Sequence, residues 1–415
     1  MNTHAASAYA DALGDAMSRG ASTVIRFDGQ SVAASLAALR SLLDEAGITR
    51  PFVVIDAAAV AAAGLMPELD HALRGVPFLT FNEYTPNPRC EDAAEAARRA
   101  ADFSADGVVA VGGGSCCDVA KVAALAAATP DLIHDLSRGE GTGRASPLPL
   151  IAVPTTSGTG SEATHFAAIY IGPKKVSIAH EQLRPVGVVL DERFHIAMPG
   201  PIAAATGLDA LGQAMESAWS VGGTAESLAF ASVAGPMIAE HLVVSVEAAT
   251  PGARRRVLIG SHLAGKAINI SKTTAAHALS YQLTQELGLP HGHAVALTLG
   301  HIATWNDGVS DGDCLDPRGA SDVRTRVRLA ASFIDAPPAD LPDRIERLLA
   351  DLGLSASLAQ SNVTPSQLGG FAERVDPVRL GNNPRRLTRE DVLGCLERAA
   401  GLDHTPQTIE MTELI

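Results

Sequence analysis

Up to about Pro199 the chain alternates between short, continuous apolar runs and longer stretches whose apolar positions recur at helical spacing. Residues 1–20 read as a short helical extension, 22–27 as a strand, and 31–46 as an amphipathic helix that stops before Gly47. Residues 51–56 form an apolar run closed by Asp56, the pattern of a strand buried on both faces of a parallel sheet. Residues 58–73 read as helix in two pieces, with Pro67 suited to the first turn of the second. A strand at 77–81, a helix at 91–103 and a strand at 107–111 follow. That strand runs straight into Gly112-Gly113-Gly114-Ser115 and a helix over 116–127. The strand at 150–153 ends at a second glycine-containing turn, 154–160. Strands alternating with helices in this way predict a parallel sheet covered by helices.

Beyond Pro199 strand-like runs nearly vanish, and helical segments succeed one another to Ala400. The expected architecture is an α/β domain over residues 1–198 and an all-helical domain over 199–415. Residues 277–286 and 294–301 read as two helices separated by Leu289-Pro290, and the polar stretch 306–323 as a loop. Its Asp311-Gly312-Asp313 lacks the further acids that a calcium loop needs.

Composition narrows the function classes. The 415 residues carry a formal charge of -14, a field that repels nucleic acid and anionic membranes. No apolar run reads as a membrane span, and the first twenty residues lack the basic start of a signal peptide. The five cysteines (Cys90, Cys116, Cys117, Cys314, Cys395) contain no CxxC pair, which suits a reducing cytoplasm.

Candidate chemistry lies at the two turns and in the helical half. Gly113, Gly114 and Ser115 let a backbone and a helix N-terminus approach a diphosphate. Thr155, Thr156 and Thr159 add hydroxyls for ribose, phosphate or nicotinamide. Asp56, at a strand end, can accept both ribose hydroxyls and repel a 2'-phosphate, favouring NAD(H) over NADP(H); it can equally be a plain turn residue. Asp118 and Lys121 read as structural. In the second half His277, His291 and His293 occur close together, and Asp209 and Gln213 are one helical turn apart. Asp209, Gln213, His277 and His291 make a donor set for Fe(II), Zn(II), Co(II) or Mn(II). From spacing alone, a capping Asp, a surface Gln and hydrogen-bonded histidines explain the same residues.

Taken in order, GGGSCCDVAK (112–121), PTTSGTGSE (154–162), Asp209 with Gln213, HALSYQLTQELGLPHG (277–292) and NNPRRLTREDV (382–392) resemble the iron-containing, group III alcohol dehydrogenase family. The likeness spans nearly everything after residue 20. It implies a dehydroquinate synthase-like fold, a metal-and-cofactor cleft between the two domains, metal ligands at Asp209, Gln213, His277 and His291 with Fe(II) favoured over Zn(II) or Mn(II), and a homodimer or larger assembly. Two positions depart from the family pattern: Gln213 where His is usual, and Tyr281 where many relatives place a His near the substrate. Finer features, KVSIAH (175–180) and GKAINISKTT (265–274), resemble the subgroup that reduces phosphonoacetaldehyde in phosphonate natural-product pathways. On that likeness Lys272, Thr273, Lys266 and Phe166 would face a small phosphonate, Lys175 the cofactor, and Tyr281 would offer a proton route. Reduction of another small aldehyde or of maleylacetate, a lyase reaction on the same fold, and a non-catalytic dinucleotide-binding regulator are the competing expectations.

Overall fold

The structure, a computed structural model, describes residues 2–18, 24–127, 147–172, 174–361 and 363–402. A seven-stranded sheet organises the first half. Its strands are β1 (Val24–Phe27), β2 (Gln30–Ala33), β3 (Pro51–Ile55), β4 (Leu79–Phe81), β5 (Gly107–Gly112), β6 (Leu150–Pro154) and β9 (Gly187–Val189), in the order β1-β2-β9-β6-β5-β3-β4. All neighbours are parallel except β1 and β2. Successive residues of the inner strands point to opposite faces, and both faces are buried. Val53, Ile55, Val109, Val111, Ile151 and Val153 pack against α2 (Leu39–Ala46), α3 (Ala57–Ala62) and α4 (Met66–Ala72). Phe52, Val54, Val108, Ala110 and Ala152 pack against α5 (Cys90–Asp102) and α6 (Gly114–Ala126). This double cover is why those strands read as unbroken apolar runs.

The sequence reading differs from the fold at several places, among them the expected loop 306–323, which is helical at Asn306–Asp307 and again from Ala320. Ser31, Val32 and Ala33 belong to β2, not to a helix; helix begins with a short turn at Leu36–Ala38 and continues as α2. The hairpin β7 (Phe166–Ile171) and β8 (Lys174–Ala179), and the short strand β9, were not anticipated. The expected strand at 22–27 is strand from Val24 to Phe27, and residues 22–23 lie outside the described residues. Finally, one helix, Ala225–Glu247, is long and apolar enough by composition to cross a membrane. It packs within the helical half, where Phe230, Ile238 and Leu242 are buried in the core.

After α7 (Glu192–Ile196) the chain turns at Pro199 into consecutive helices: α8 (Gly200–Trp219), α9 (Ala225–Glu247), α10 (Pro251–Ser271), α11 (Ala275–Leu287), α12 (His291–Asp307), α13 (Ala320–Ser332), α14 (Leu341–Asp351), α15 (Pro365–Arg374), α16 (Pro377–Leu380) and α17 (Arg389–Ala399). Helix α8 is the central one, buried along nearly its whole length and packed against α9, α10 and α12. The N-terminal helix α1 (Thr3–Ser18) joins this helical core through Leu13, Ala10 and Tyr9, packing on α9 and α10.

Candidate active site

A cleft of about 670 Å³ opens between the sheet domain and the helices. Asp209, Gln213, His277 and His291 line it together, as do Thr159, Phe166, Lys175, Lys272, Thr273 and Tyr281. Helix α8 supplies Asp209 and Gln213 one turn apart, α11 supplies His277, and His291 opens α12. The ligating atoms of Asp209, His277 and His291 all lie within 4.8 Å of one another.

Whether these residues fit a cation is answered by Gln213. Its Oε1 is buried and has no hydrogen-bond partner. An acceptor left bare beside a carboxylate and two imidazoles fits a cation, because leaving it unpaired costs about 1–3 kcal/mol. Close helix contacts make the convergence possible. A Cβ on Gly292 would fall 1.9 Å from Ala205 O and 2.6 Å from Asp209 N, so only glycine lets the start of α12 lie against α8.

A second layer fixes the rings. Ser280 Oγ donates to His277 O at 2.7 Å, so at 3.2 Å it accepts from His291 Nδ1 and leaves His291 Nε2 with its lone pair. Glu216 is fully buried one turn beyond Gln213. Its Oε1 accepts from Thr274 Oγ1 at 2.6 Å and Ala276 N at 2.9 Å, and its Oε2 pairs with His277 Nδ1. The other ring nitrogen, Nε2, sits 3.1 Å from Asp209 Oδ1. Burial disfavours a charged ring here, yet Glu216 and Asp209 outweigh it and lift the His277 pKa to about 10. Burial, with Lys175 nearby, pushes His291 down to about 3. Glu216 escaped the sequence reading, although its seven-residue spacing from Asp209 puts it on the same helix face. His293 lies outside the set; its Nε2 bonds to Ser355 O at 2.7 Å.

Asp56 and the two glycine-containing turns lie at the carboxyl ends of β3, β5 and β6, where open α/β sheets take ligands. Gly112 pairs in register with Pro154, so the two glycine-containing turns leave the sheet side by side. A Cβ on Gly113 would meet Thr156 at 3.2 Å, and one on Gly114 would meet Thr159 at 2.6 Å. Ser115 Oγ accepts from Asn87 N at 3.2 Å, and Thr155 Oγ1 is buried without a partner. Asp56 caps α3 by accepting from Ala59 N at 3.0 Å. Its cap uses one carboxylate oxygen, Oδ1. Lys121 is structural: it ties the approach to β7 by donating to Thr164 O and Phe166 O, both at 2.8 Å.

On the remaining wall, Lys272 terminates α10 with a left-handed backbone (φ 58°) and an exposed side chain. Phe166 begins β7 at the cleft. Tyr281 stacks on His291 with centroids 5.4 Å apart. Its hydroxyl accepts from Arg379 at 3.0 Å, and Lys175 Nζ lies 4.4 Å from its ring centre. Burial raises the phenol's pKa, but Lys175 and Arg379 together bring it below its ordinary value. Lys175 thus faces Tyr281, where the cofactor was expected. Lys266 does not reach the cleft. It is buried in mid-helix and donates to Gln30 Oε1 at 2.8 Å, with Asp28 at 3.3 Å. Arg379 was missed; it lies 98 residues from Tyr281 in sequence.

A parallel sheet presenting its carboxyl edge across a cleft to buried metal donors is the working arrangement of an NAD-linked, metal-dependent oxidoreductase. Comparison with known proteins carries this to a family. The chain belongs to the iron-containing alcohol dehydrogenases: residues 31–192 match the family described as iron-containing alcohol dehydrogenase, and residues 203–400 its C-terminal domain. It is 37% identical to a phosphonoacetaldehyde reductase of Streptomyces viridochromogenes over 82% of this chain and 87% of that one. A probable alcohol dehydrogenase of Salmonella typhimurium is 31% identical over 86% of this chain and 88% of its own. Among solved structures, the sulfoacetaldehyde reductase of Bifidobacterium kashiwanohense in complex with NAD+ superposes with a TM-score of 0.78. It is 30% identical, with 89% of this chain and 95% of that one covered. The chain is therefore a group III alcohol dehydrogenase or aldehyde reductase.

Proposed function

We propose that this enzyme reduces phosphonoacetaldehyde to 2-hydroxyethylphosphonate with NADH, in the cytoplasm. The observation that carries the reading is the cationic wall of the cleft. In a chain of net charge -14, Lys272, Lys175 and Arg379 all line the space in front of Asp209, Gln213, His277 and His291. The likeness to the Streptomyces enzyme supports the same substrate.

When bound to those four residues and to the two turns, the metal supplies Lewis acidity and the nicotinamide a hydride. The chain's own residues do the rest. Gly113, Gly114, Ser115, Thr155, Thr156 and Thr159 hold the dinucleotide, and Asp56 favours the 2'-hydroxyl of NADH over a 2'-phosphate. Lys272 and Thr273 hold the phosphonate through charge-assisted hydrogen bonds and so orient the aldehyde. Phe166 closes the apolar side. Tyr281 offers a hydroxyl through which a proton reaches the carbonyl oxygen, so that C=O becomes CH–OH with one hydride and one proton added.

A second reading, a sulfonate-bearing aldehyde, is favoured by the structural likeness to the sulfoacetaldehyde reductase. Following NADH absorbance with phosphonoacetaldehyde, sulfoacetaldehyde, maleylacetate and propionaldehyde, with Fe(II), Zn(II) or Mn(II) added, decides between them. The phosphonate should win in kcat/KM by about tenfold or more, as one charge-assisted contact is worth about 1.5–3 kcal/mol. Preference for sulfoacetaldehyde would replace the substrate, and equal rates on propionaldehyde would remove the anion altogether.

A further inference from the structure

We infer that Arg379 is a second cationic contact for the anionic end of the substrate, and that Asn382 is the positioning residue that sets Arg379 and Lys272 in one frame. The inference rests on the reading that the substrate is an anionic aldehyde, and deepens it.

The first observation is that Arg379 carries more donors than the protein uses. Its guanidinium lies 4.6 Å from the centre of the Tyr281 ring and spends one N–H on the Tyr281 hydroxyl at 3.0 Å. Asp376 is its sole ion-pair partner among the described residues, at a loose 3.7 Å. The other oxygen of that carboxylate, Oδ1, accepts from Val378 N at 2.9 Å to cap α16, which holds Asp376 at that distance. Guanidinium has five N–H groups in a planar fork, so an edge remains free for an oxyanion. Lys175 Nζ lies over the same ring at 4.4 Å, and neither it nor Lys272 has an ion pair among the described residues. Asp118, Asp209 and Asp376 line the same cleft, but none of them forms an ion pair with Lys175 or Lys272 among the described residues, so both ammonium groups keep donors for an incoming oxyanion.

The second observation is mechanical. Lys272 has φ 58°, a conformation that non-glycine residues hold only where neighbours impose it. Asn382 imposes it: its Nδ2 donates to Ser271 O at 2.9 Å and Thr273 O at 2.8 Å, the carbonyls on either side of Lys272. Its Oδ1 accepts from Gly222 N at 2.9 Å. Asn382 follows Arg379 by three residues, just past α16. One short segment thus brings one cation to the cleft and locks the backbone of another. A prop for Tyr281 alone would need the Arg379 hydrogen bond but not the clamp on Lys272.

The test uses the metal-loaded enzyme and reads the ratio of KM for phosphonoacetaldehyde to KM for propionaldehyde. Any damage to turnover through Tyr281 falls on both aldehydes and cancels in that ratio. Arg379→Met should raise it about 10- to 100-fold, the size of one or two charge-assisted hydrogen bonds lost. Arg379→Lys should restore part of the loss, and Asn382→Ala should raise the ratio as well. Methylphosphonate, as an inhibitor of propionaldehyde reduction, should bind more weakly to Arg379→Met by a similar factor. An unchanged ratio in Arg379→Met, with unchanged methylphosphonate inhibition, overturns the inference and leaves the substrate standing. If the wild type itself does not favour phosphonoacetaldehyde, the proposed function fails, and methylphosphonate inhibition still decides on Arg379.

Discussion

Replacing Glu216 with glutamine should loosen the metal by reversing a single hydrogen bond. A carboxylate only accepts, so the pairing of Glu216 Oε2 with His277 Nδ1 puts the ring proton on Nδ1. A metal that displaces the second ring proton then finds the Nε2 lone pair beside Asp209 Oδ1, 3.1 Å away. In Glu216→Gln, the amide oxygen is held by Thr274 Oγ1 and Ala276 N, which donate to Oε1 at 2.6 and 2.9 Å. Its NH2 group must therefore face Nδ1, which becomes the acceptor, and the ring proton moves to Nε2, where the metal should bind. One effect opposes this. Glu216 also helps hold the His277 pKa near 10, so its loss eases the competing proton. That relief is the smaller effect, because a divalent ion at Nε2 carries twice the charge of the proton it displaces and loses more of the carboxylate's attraction. Supporting residues of this kind are typically worth about 10- to 100-fold in metal affinity, or about 1.4–2.7 kcal/mol. Equilibrium dialysis of metal-stripped protein against Zn(II) measures it, with thermal melting to show that the variant is folded. A folded variant whose Zn(II) Kd stays within about twofold of wild type would refute the tautomer argument.

Two further perturbations probe the frame. Gly292→Ala should push α12 off α8, since its Cβ would meet Ala205 O at 1.9 Å. A loss of about 1–3 kcal/mol by urea unfolding, together with reduced metal retention, is expected, and an unaltered melt with full metal content would contradict the packing. His195 accepts from Ser157 Oγ at 2.7 Å and donates to Pro154 O at 3.1 Å; burial lowers its pKa to about 4. The unfolded ring takes a proton near 6.5 while the folded ring stays neutral down to about 4, so stability falls as pH drops through that window. Between pH 6.5 and about 5 the loss is about 2 kcal/mol at 1.36 kcal/mol per unit. His195→Gln, which keeps a donor toward Pro154, should unfold in urea with that much less acid sensitivity; equal sensitivity would exclude His195 as a source.

What was legible in the sequence was what local chemistry decides. The doubly buried strands β3, β5 and β6 announce themselves because every residue in them must be apolar. Asp209 and Gln213 fall on one face by helical spacing, whatever surrounds them. Residues 31–33 and 187–189 could not be read in the same way. Three or four residues carry little periodicity of their own, and their strand state comes from pairing with β1, with β6 and, across more than 150 residues of chain, with each other. Lys266 was misplaced although helix geometry could have prevented it. Six residues along a helix turn a side chain about 120° away from Lys272. Four residues align Lys266 with His262, whose ring bonds Glu162 and Tyr9 at 3.1 Å in the buried network beneath α1. Arg379 gave no local sign, since its meaning lies in Tyr281 and Lys272, far away in sequence.

The overall charge and the cleft argue in opposite directions, and distance settles which prevails. A net charge of -14 repels a phosphonate during approach. At physiological ionic strength that field is screened beyond about 8 Å, so the groups lining the cleft govern the bound state. Of the four metal donors Asp209 alone is an acid, because Gln213 contributes a neutral amide oxygen. A divalent cation among them leaves an excess of positive charge next to Lys272 and Arg379. The nearby carboxylates keep their charge but are directed elsewhere: Asp118 accepts from Ser161 at 3.1 Å, Asp376 Oδ1 caps α16, and Glu216 is sealed behind His277. A donor set with a single acid, its neighbouring carboxylates directed elsewhere, would let an acidic protein hold the proposed anionic aldehyde against its own field.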